Sequence, residues 1–432
     1  MICDNLSVNA LGHLCMAGQD VTNLAKQYQT PLYVMDADRI RDNCRRYRQA
    51  MQRHFGDSAR VLYAGKAAAF KQMYRIMAQE NMWIDAVSSG ELYTAQQAGF
   101  DLQNAVFHGN NKTDSEIAFA IEHGVGLFAA DNTEELLAID RIAGEHNVRQ
   151  HILIRLTPGI DTHTYEAVNT GKVDSKFGFA IETGQGEEAF CLAASLPNVV
   201  IDGFHCHVGS QVFDSDSFLK SARIMLAFMA HIRDAYGYTA SILDLGGGYG
   251  ARYTEQDPRL NLDANIGAVA QCIRQACKAS NLPVPAVFLE PGRSIVADAG
   301  LTLYSVGTVK TIPGFKSYVA IDGGMNDNPR YALYGAEYTV VAAAKMNEPC
   351  GFACSLVGRC CESGDVIQPD VKLPADLKRG DLIAVLTTGA YNFSMASAYN
   401  RFTRPAVVML EQGKHFVAVQ RETVDDLIRL DL

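Results

Sequence analysis

The stretch "AVFHGNNKTDSEIAFAIEHGVGLFAADNTEELLAIDRIAGEH" (residues 105–146) contains two short apolar runs, each followed by a longer amphipathic segment. The runs AVF and LFAA predict buried strands because they contain no polar residue. The segments 114–124 and 132–146 each open near a residue typical of a helix N-cap, and they predict helices. Buried strands that alternate with amphipathic helices indicate a parallel sheet covered by helices.

The same rhythm extends in both directions from this stretch. Eight apolar runs occur in the first two-thirds of the chain, and they end near Lys66, Ser88, Asn110, Asp131, Arg155, His207, Gly246 and Glu290. Eight units over about 230 residues match a (β/α)8 TIM-like barrel in number and size. A doubly wound open sheet is the alternative, and the count of eight favours the barrel.

The pattern changes after about residue 295, where strand-like runs follow one another without long amphipathic helices. These runs predict a C-terminal antiparallel β domain, with a hairpin around Gln412 and Gly413 near its end. We therefore expect a barrel over residues 30–290 and a β-rich domain over 291–432, joined by the N-terminal segment 1–29. The strand-like run 30–36 precedes the barrel and fits either part.

Composition narrows the possible functions of the chain. A net charge of −10 over 432 residues argues against nucleic acid as a partner, because phosphate binding requires a basic surface. No apolar run approaches the roughly 18–20 residues of a membrane span, and no secretory signal is visible. The 11 cysteines lack the paired spacing of a metal site. We expect a cytoplasmic protein with reduced thiols and no metal.

Chemically useful residues stand at the predicted strand ends. In a barrel of this type the carboxyl ends of the strands meet at one mouth, so Lys66, His207, the glycines 246–248 and Glu290 converge there. Each has an ordinary interpretation: a solvated lysine, a packed histidine, a tight turn and a surface ion pair. Together, an amine nucleophile, a glycine cradle for phosphate, a flat ring and a carboxylate are what pyridoxal phosphate requires.

The chain resembles the fold-type III, alanine-racemase-like decarboxylases that depend on pyridoxal 5'-phosphate, and within them the diaminopimelate decarboxylase family. The resemblance covers about residues 30–410 and rests on ten motifs in order: YAGKA, DAVSSGEL, HGNNKT, SKFGF, HCHVGSQ, LDLGGGYG, EPGRSIV, NPRYALYGA, CESGDV and GAYNFSMASAYN. It implies a homodimer whose active sites lie at the subunit interface, with residues 360–365 completing the partner's site.

The resemblance also implies roles for individual residues. Lys66 is the Schiff-base lysine and His207 stacks on the cofactor ring. The further cofactor-binding residues that it implies are Ser210, Gly247 and Gly248 at the phosphate, Glu290 at the pyridine nitrogen, and Gly292, Arg293 and Tyr391. Cys361 is the implied proton donor, and a thiol suits this role because its usual pKa near 8.5 leaves it mostly protonated. The alternative for Cys361 is a buried, inert thiol.

The implied substrate carries an amino-acid group at each end. Arg293 and Arg330 are the implied carboxylate clamps, since the guanidinium fork binds both carboxylate oxygens. Tyr334 and Tyr391 assist them, and Glu362 receives the distal ammonium. The expected reaction is decarboxylation of meso-2,6-diaminopimelate to L-lysine and CO2, the last step of lysine biosynthesis.

Two alternatives stay open at this point. One is a related decarboxylase that acts on a carrier-linked glutamyl group, D-lysine, D-ornithine or carboxynorspermidine. The other is a non-catalytic homologue that binds a protein partner. The chain departs from the family at Ala68, where asparagine is usual, at Arg359 and Cys360, where a proline-containing sequence is common, and at Thr403, where proline is usual. None of these departures removes a group expected to bond to cofactor or substrate.

Overall fold

A computed structural model describes residues 1–160, 175–207 and 209–432 of the chain. The chain divides into two compact units. The β unit comprises Met1–Asp42, Ala251–Arg259 and Arg293–Leu432, and the barrel unit comprises Asn43–Gly250 and Leu260–Gly292.

The described residues form strands that we number in chain order. They are β1 (Leu6–Val8), β2 (Leu14–Met16), β3 (Gln19–Asp20), β4 (Leu32–Asp36), β5 (Arg60–Ala64), β6 (Trp83–Ala86), β7 (Ala105–Phe107), β8 (Leu127–Ala130), β9 (Gln150–Thr157), β10 (Phe179–Ala180), β11 (Val199–His205), β12 (Ile242–Asp244), β13 (Ala286–Leu289), β14 (Gly300–Ile312), β15 (Lys316–Ile321), β16 (Val340–Ala342), β17 (Phe352–Val357), β18 (Val366–Leu373), β19 (Leu382–Leu386), β20 (Ala406–Glu411) and β21 (Lys414–Val419).

The α-helices are numbered in the same way. They are α1 (Val21–Tyr28), α2 (Ala37–Phe55), α3 (Lys71–Gln79), α4 (Ser89–Gln97), α5 (Asp114–Glu122), α6 (Thr133–Glu145), α7 (Gln185–Ser195), α8 (Asp216–Tyr236), α9 (Leu262–Ala279), α10 (Arg293–Val296), α11 (Arg330–Tyr334) and α12 (Val424–Ile428). Side-chain caps begin several of them, for example the capping box of Thr113 and Glu116 at α5.

The barrel unit contains a closed ring of eight parallel strands. Their order is β5, β6, β7, β8, β9, β11, β12, β13, and β13 pairs with β5 to close the ring. All eight strands predicted from the apolar runs are present, and the predicted (β/α)8 barrel is confirmed. Because every strand is parallel, all eight carboxyl ends lie at one end of the ring, which is where barrel enzymes place their chemistry.

The predicted C-terminal β domain is confirmed, and its sheet is mixed, with two parallel strand pairs among the antiparallel ones. Most neighbouring strands are antiparallel, but β4 pairs in parallel with β20 and β15 pairs in parallel with β17. A parallel pair cannot be joined by a tight hairpin, and the two strands of each of these pairs are indeed far apart in the sequence. The predicted hairpin is present, since β20 and β21 pair around Gln412 and Gly413.

The observed boundaries differ from the expected ones at two places. Residues 30–42 and 251–259 lie in the β unit, whereas the expected barrel covers residues 30–290; the run 30–36, which fitted either part, thus belongs to the β unit. The first segment carries β4, which pairs with β14 and β20. The second segment is bonded within the same unit, since the backbone carbonyl of Tyr253 accepts a hydrogen bond from the backbone N–H of Thr339 at 3.1 Å.

Each unit has its own apolar core. In the β unit, Leu14, Val34, Leu303 and Val408 are among the buried residues that pack together. In the barrel unit, Leu62, Val106, Leu127, Ala129 and Phe288 form another cluster. All 11 cysteines are free thiols. Within the described part of the chain, no helix has both the length and the apolar character needed to cross a membrane.

Candidate active site

Lys66 lies at the carboxyl end of β5, in a short 3-10 turn over Gly65–Ala67. Its side chain is 44% exposed, and its Nζ lies 3.7 Å from Oδ2 of Asp85, a residue of β6 whose side chain is only 2% exposed. The amine is thus accessible from solvent while a buried carboxylate on the neighbouring strand faces it.

Glu290 directly follows β13 and lies between two histidines from other strand ends. Nε2 of His108, which follows β7, is 2.7 Å from Oε1 of Glu290. Nε2 of His205, the last residue of β11, is 3.3 Å from Oε2 and hydrogen bonds to it. The two imidazole rings contact each other edge to face, with centroids 4.8 Å apart. All three side chains are buried.

The environment keeps Glu290 ionised. Burial raises the pKa of this carboxyl, but the adjacent His108 and His205 outweigh burial and hold the pKa well below its usual value. Burial lowers the pKa of His205 to about 4, so this ring donates as a neutral imidazole at pH 7. Burial, and then the charge of Glu290, raise the pKa of Asp244 well above its usual value. Of the two buried carboxyls, Glu290 therefore carries the negative charge.

His207 lies just beyond β11 and contacts the glycine loop that follows β12. The backbone N–H of Gly247 donates to Nδ1 of His207 at 3.1 Å. Loss of hydration, and then the positive charge of Lys66, hold the pKa of His207 well below its usual value. The ring is therefore a neutral imidazole with its proton on Nε2, which gives it a flat, uncharged face.

Only glycine fits two positions of the loop after β12. A Cβ at Gly247 would collide with the backbone carbonyl of Glu290, and Gly248 has a φ of +126°. Such a loop leaves its backbone N–H groups accessible to an anion without a side chain in the way. Ser210, on the segment after β11, is half-buried. Gly292 packs against Ala64 beside Lys66, so a Cβ at Gly292 would also be crowded.

These residues fit pyridoxal phosphate. The buried atoms Glu290 Oε1 and Asp85 Oδ1 have no hydrogen-bond partner among the described residues, and a buried carboxylate oxygen requires one. An accessible amine, a neutral imidazole, a glycine loop and an unsatisfied carboxylate supply the groups that the cofactor's aldehyde, ring, phosphate and pyridine nitrogen need. His108, His205 and Glu290 also offer three atoms within 4.8 Å of one another, a spacing that suits a metal ion. A metal ion at this cluster would leave the amine of Lys66 and the glycine loop without a role, whereas pyridoxal phosphate uses both.

The β unit contains a cluster of two buried arginines and three tyrosines. Arg293 donates to the hydroxyl of Tyr253 at 2.8 Å and lies over the ring of Tyr391 at 4.8 Å. Arg330 donates to the hydroxyl of Tyr338 at 2.8 Å and lies over the ring of Tyr253 at 5.0 Å. Among the described residues, no carboxylate lies within ion-pair distance of Arg330, although it is buried. A buried guanidinium without a carboxylate is suited to receive one from a ligand.

The loop between β17 and β18 carries the two adjacent cysteines. The thiol of Cys360 is buried, whereas Cys361 and Glu362 are exposed. The backbone N–H of Cys361 donates to Oδ1 of Asn400 at 2.8 Å. Oε1 of Glu362 accepts from the N–H of Gly364 at 3.3 Å, so this carboxylate turns back toward its own loop.

The structure therefore groups the predicted site residues in three places. Lys66, His207, Gly247, Gly248, Glu290 and Gly292 lie at the barrel mouth, with Ser210 on the segment just after β11. Arg293, Arg330 and Tyr391 lie in the arginine–tyrosine cluster. Cys361 and Glu362 lie on the β17–β18 loop. Tyr334 is one helical turn after Arg330 in α11 and is half-buried.

Sequence reasoning did not identify five residues of these clusters: Asp85, His108, His205, Tyr253 and Tyr338. The first three lie in strands or at strand ends, within the runs "WIDA", "VFHG" and "GFHC", so their position was a usable signal. Tyr253 lies in a segment without a periodic pattern and Tyr338 at the start of a strand-like run, and only the folded chain brings them to the arginines.

The barrel mouth defines a class of protein, a barrel decarboxylase that uses pyridoxal phosphate. Residues 37–297 match the family described as "Pyridoxal-dependent decarboxylase, pyridoxal binding domain". Diaminopimelate decarboxylase of Bacillus subtilis (strain 168) is 42% identical over 98% of this chain and 96% of its own length. The enzyme of Staphylococcus aureus (strain COL) is 40% identical over 97% of this chain and 98% of its own.

The solved structures that resemble this chain include the same kind of enzyme. The crystal structure of diaminopimelate decarboxylase from M. jannaschii, in complex with L-lysine, superposes with a TM-score of 0.93 at 33% identity and covers 100% of this chain and 98% of its own. That of Helicobacter pylori, also with L-lysine, gives 0.86 at 30% identity, covering 95% and 99%. The chain belongs to the diaminopimelate decarboxylase family.

Proposed function

We propose that the protein catalyses the pyridoxal-phosphate-dependent decarboxylation of meso-2,6-diaminopimelate to L-lysine and CO2, the last step of lysine biosynthesis. The observation that carries this proposal is the barrel mouth, where a reachable amine, a neutral imidazole, a glycine loop and an ionised carboxylate with one unsatisfied oxygen meet. The relatives named above support the choice of substrate.

The residues at the mouth would hold the cofactor. Lys66 attaches it, His207 covers its ring, and Glu290 accepts a hydrogen bond from its pyridine nitrogen. The residues proposed for the remaining cofactor contacts are Ser210, Gly247, Gly248, Gly292, Arg293 and Tyr391. When bound, pyridoxal phosphate supplies an electron-accepting ring for the bond that breaks.

The substrate's charges match the residues proposed to bind it. The two arginines Arg293 and Arg330 receive carboxylates, with the hydroxyl-bearing rings of Tyr334 and Tyr391 beside them. Glu362 binds the distal ammonium. Because Arg330 is buried and has no carboxylate partner among the described residues, a substrate carboxylate restores the pairing that a buried charge requires.

The proton that replaces CO2 comes from the thiol of Cys361 in this proposal. Cys361 is exposed and its backbone is anchored by Asn400, so the side chain is accessible to a ligand. Cys360 is unsuited to the role because its thiol is buried. We further propose a cytoplasmic homodimer in which residues 360–365 complete the partner's site.

The decisive experiment is incubation of the purified protein with pyridoxal phosphate and meso-diaminopimelate, followed by chiral chromatography. We expect L-lysine and an equal amount of CO2. Parallel incubations with D-lysine, D-ornithine and carboxynorspermidine test the related decarboxylases, and release of CO2 from one of these alone would overturn the proposal. Lys66→Ala is the matched control, and it should lose both the visible absorbance of the bound cofactor and turnover. A wild-type protein without that absorbance would instead favour a non-catalytic homologue.

A further inference from the structure

The proposed function does not use the segment His108–Thr113, "HGNNKT", although it is one of the chain's most distinctive motifs. Its first residue, His108, is buried and approaches Glu290 more closely than His205 does, at 2.7 Å against 3.3 Å. The same Nε2 lies 4.0 Å from Oδ1 of Asp85, the residue that faces Lys66. His108 therefore lies between Glu290 and Asp85, the carboxylate that faces Lys66.

The rest of the segment holds His108 in place. Lys112 is buried, and its Nζ donates to the carbonyl of Gly109 at 3.0 Å, to the carbonyl of Ala129 at 2.8 Å and to Oε1 of Glu135 at 2.7 Å. These three bonds join the loop after β7 to β8 and α6. A buried lysine is retained only when it is fully paired, and this one anchors the residue that follows His108.

We propose that His108 is a positioning residue that fixes Glu290 as an ionised hydrogen-bond acceptor for the pyridine nitrogen. This inference rests on the proposed function, because it needs pyridoxal phosphate as the ligand. A buried carboxylate without a close polar partner takes up a proton, and a protonated carboxyl no longer accepts from a pyridinium N–H.

The distances assign different roles to the two histidines. His205 has a regular hydrogen bond to Oε2. The contact of His108 with Oε1 is shorter but is not aligned as a hydrogen bond, and Oε1 has no other hydrogen-bond partner among the described residues. Oε1 thus keeps a free lone pair beside a polar ring, which is the oxygen that we assign to the pyridine nitrogen.

The test compares pyridoxal phosphate with an analogue in which the ring nitrogen is replaced by a carbon–hydrogen group. Both ligands carry the same aldehyde and phosphate, so only the first can use Glu290. Dissociation constants are measured by absorbance titration of the apoprotein. The wild-type protein should bind pyridoxal phosphate more tightly than the analogue. His108→Leu should weaken binding of pyridoxal phosphate about 10-fold or more and change binding of the analogue less than about threefold.

Further variants separate this role from a structural one. His108→Gln, which restores a polar N–H group, should recover most of the affinity for pyridoxal phosphate. His108→Phe preserves a flat ring without nitrogen and should behave like the leucine variant. The two apolar variants are alternatives, so the comparison can still be made if one of them fails to fold. His146→Leu, a change at the C-terminal end of α6, is the control and should leave both constants unchanged.

Two results would overturn this inference but leave the proposed function intact. Equal weakening of both ligands in the leucine and phenylalanine variants would show that His108 only supports the loop. Unchanged affinity for pyridoxal phosphate in those variants would show that Glu290 does not depend on it. A wild-type protein that binds neither ligand covalently would instead contradict the proposed function itself.

Discussion

Adjacent residues of this chain can have very different chemistry, as Cys360 and Cys361 show. Sγ of Cys360 is 3.4 Å from Oδ1 of Asn326, and burial raises the pKa of this thiol to about 11. Cys361 is exposed, and its backbone N–H is bonded to Asn400. The environment, rather than the residue type, therefore separates an inert thiol from one that can exchange a proton with a ligand.

This contrast predicts different kinetics for the two alanine variants. Cys361→Ala should lower kcat by about 10²–10⁴-fold with KM changed only a few-fold, because the proposed proton donor is lost while the binding groups remain. Cys360→Ala should leave kcat within about threefold and lower the melting temperature slightly, since a buried contact is lost. Steady-state decarboxylation assays and thermal unfolding measure both. Normal turnover by the Cys361 variant would remove it from the proposed chemistry.

Asp327 predicts a pH dependence of stability within the β unit. It is fully buried, its Oδ1 accepts from the hydroxyl of Tyr304 at 2.5 Å, and burial raises its pKa from 3.8 to about 7. The folded state therefore holds a proton that the unfolded chain releases between about pH 4 and 7. Because the unfolded state binds fewer protons in this window, the stabilising contribution of Asp327 falls as pH rises.

The matched variant is Asp327→Asn, which cannot titrate. We expect the unfolding free energy of the variant, relative to wild type, to rise by as much as about 4 kcal/mol between pH 4 and pH 7. Urea denaturation of both proteins at several pH values measures this difference. A difference that stays constant over the window would contradict a raised pKa for this residue.

At the scale of elements, the Lys112–Glu135 pair joins the β7–α5 loop to α6. Both side chains are almost fully buried, at 1% and 2% exposure, and the two atoms are 2.7 Å apart. Burial lowers the pKa of Lys112 and raises that of Glu135, while each charge counteracts the shift of the other. Each charge therefore remains buried only because its partner compensates for the loss of hydration. Removal of one partner leaves the other charge buried and unpaired.

Lys112→Met should lower the unfolding free energy by about 3–5 kcal/mol, and it should also weaken cofactor binding because His108 loses its anchor. The double variant Lys112→Met/Glu135→Met should recover part of the stability, since no unpaired charge remains. Denaturant unfolding of wild type, both single variants and the double variant completes the cycle. Strictly additive effects of the two single changes would mean that the pair is not coupled.

The strands of the barrel were predictable because each signal is local. Apolar runs such as those before Lys66 and Glu290 indicate both a strand and the residue where it ends within about seven residues. Closure of the parallel strands into a barrel then brings these ends together. The neighbours of β4 were not predictable, because it pairs with β14 and β20 across the length of the chain. Glu290 was likewise predictable from a local signal, the end of its strand. Tyr253 was not, because only tertiary structure brings it to Arg330.

At the scale of the whole molecule, the proposed homodimer predicts that Cys361 of one chain serves the barrel of the other. Cys361 and Glu362 are both exposed on the loop between β17 and β18. The carboxylate of Glu362 accepts hydrogen bonds from Ser363 and Gly364 of the same loop. Exposed reactive groups on a loop are what a shared site in a symmetric dimer requires, because each copy presents the same loop to the other.

A mixing experiment tests this arrangement with two inactive proteins. Lys66→Ala lacks the amine of the barrel, and Cys361→Ala lacks the thiol of the loop that we propose as the proton donor. If sites are shared, each mixed dimer has one site with both residues intact and one with neither, so equal mixing with free exchange should restore about a quarter of wild-type activity. If each chain uses its own loop, every site lacks one residue and no activity returns. Subunits are exchanged under mild denaturant, and wild type taken through the same treatment shows how much activity survives it. Recovery absent from the mixture but present in the treated wild type would place Cys361 in the site of its own chain.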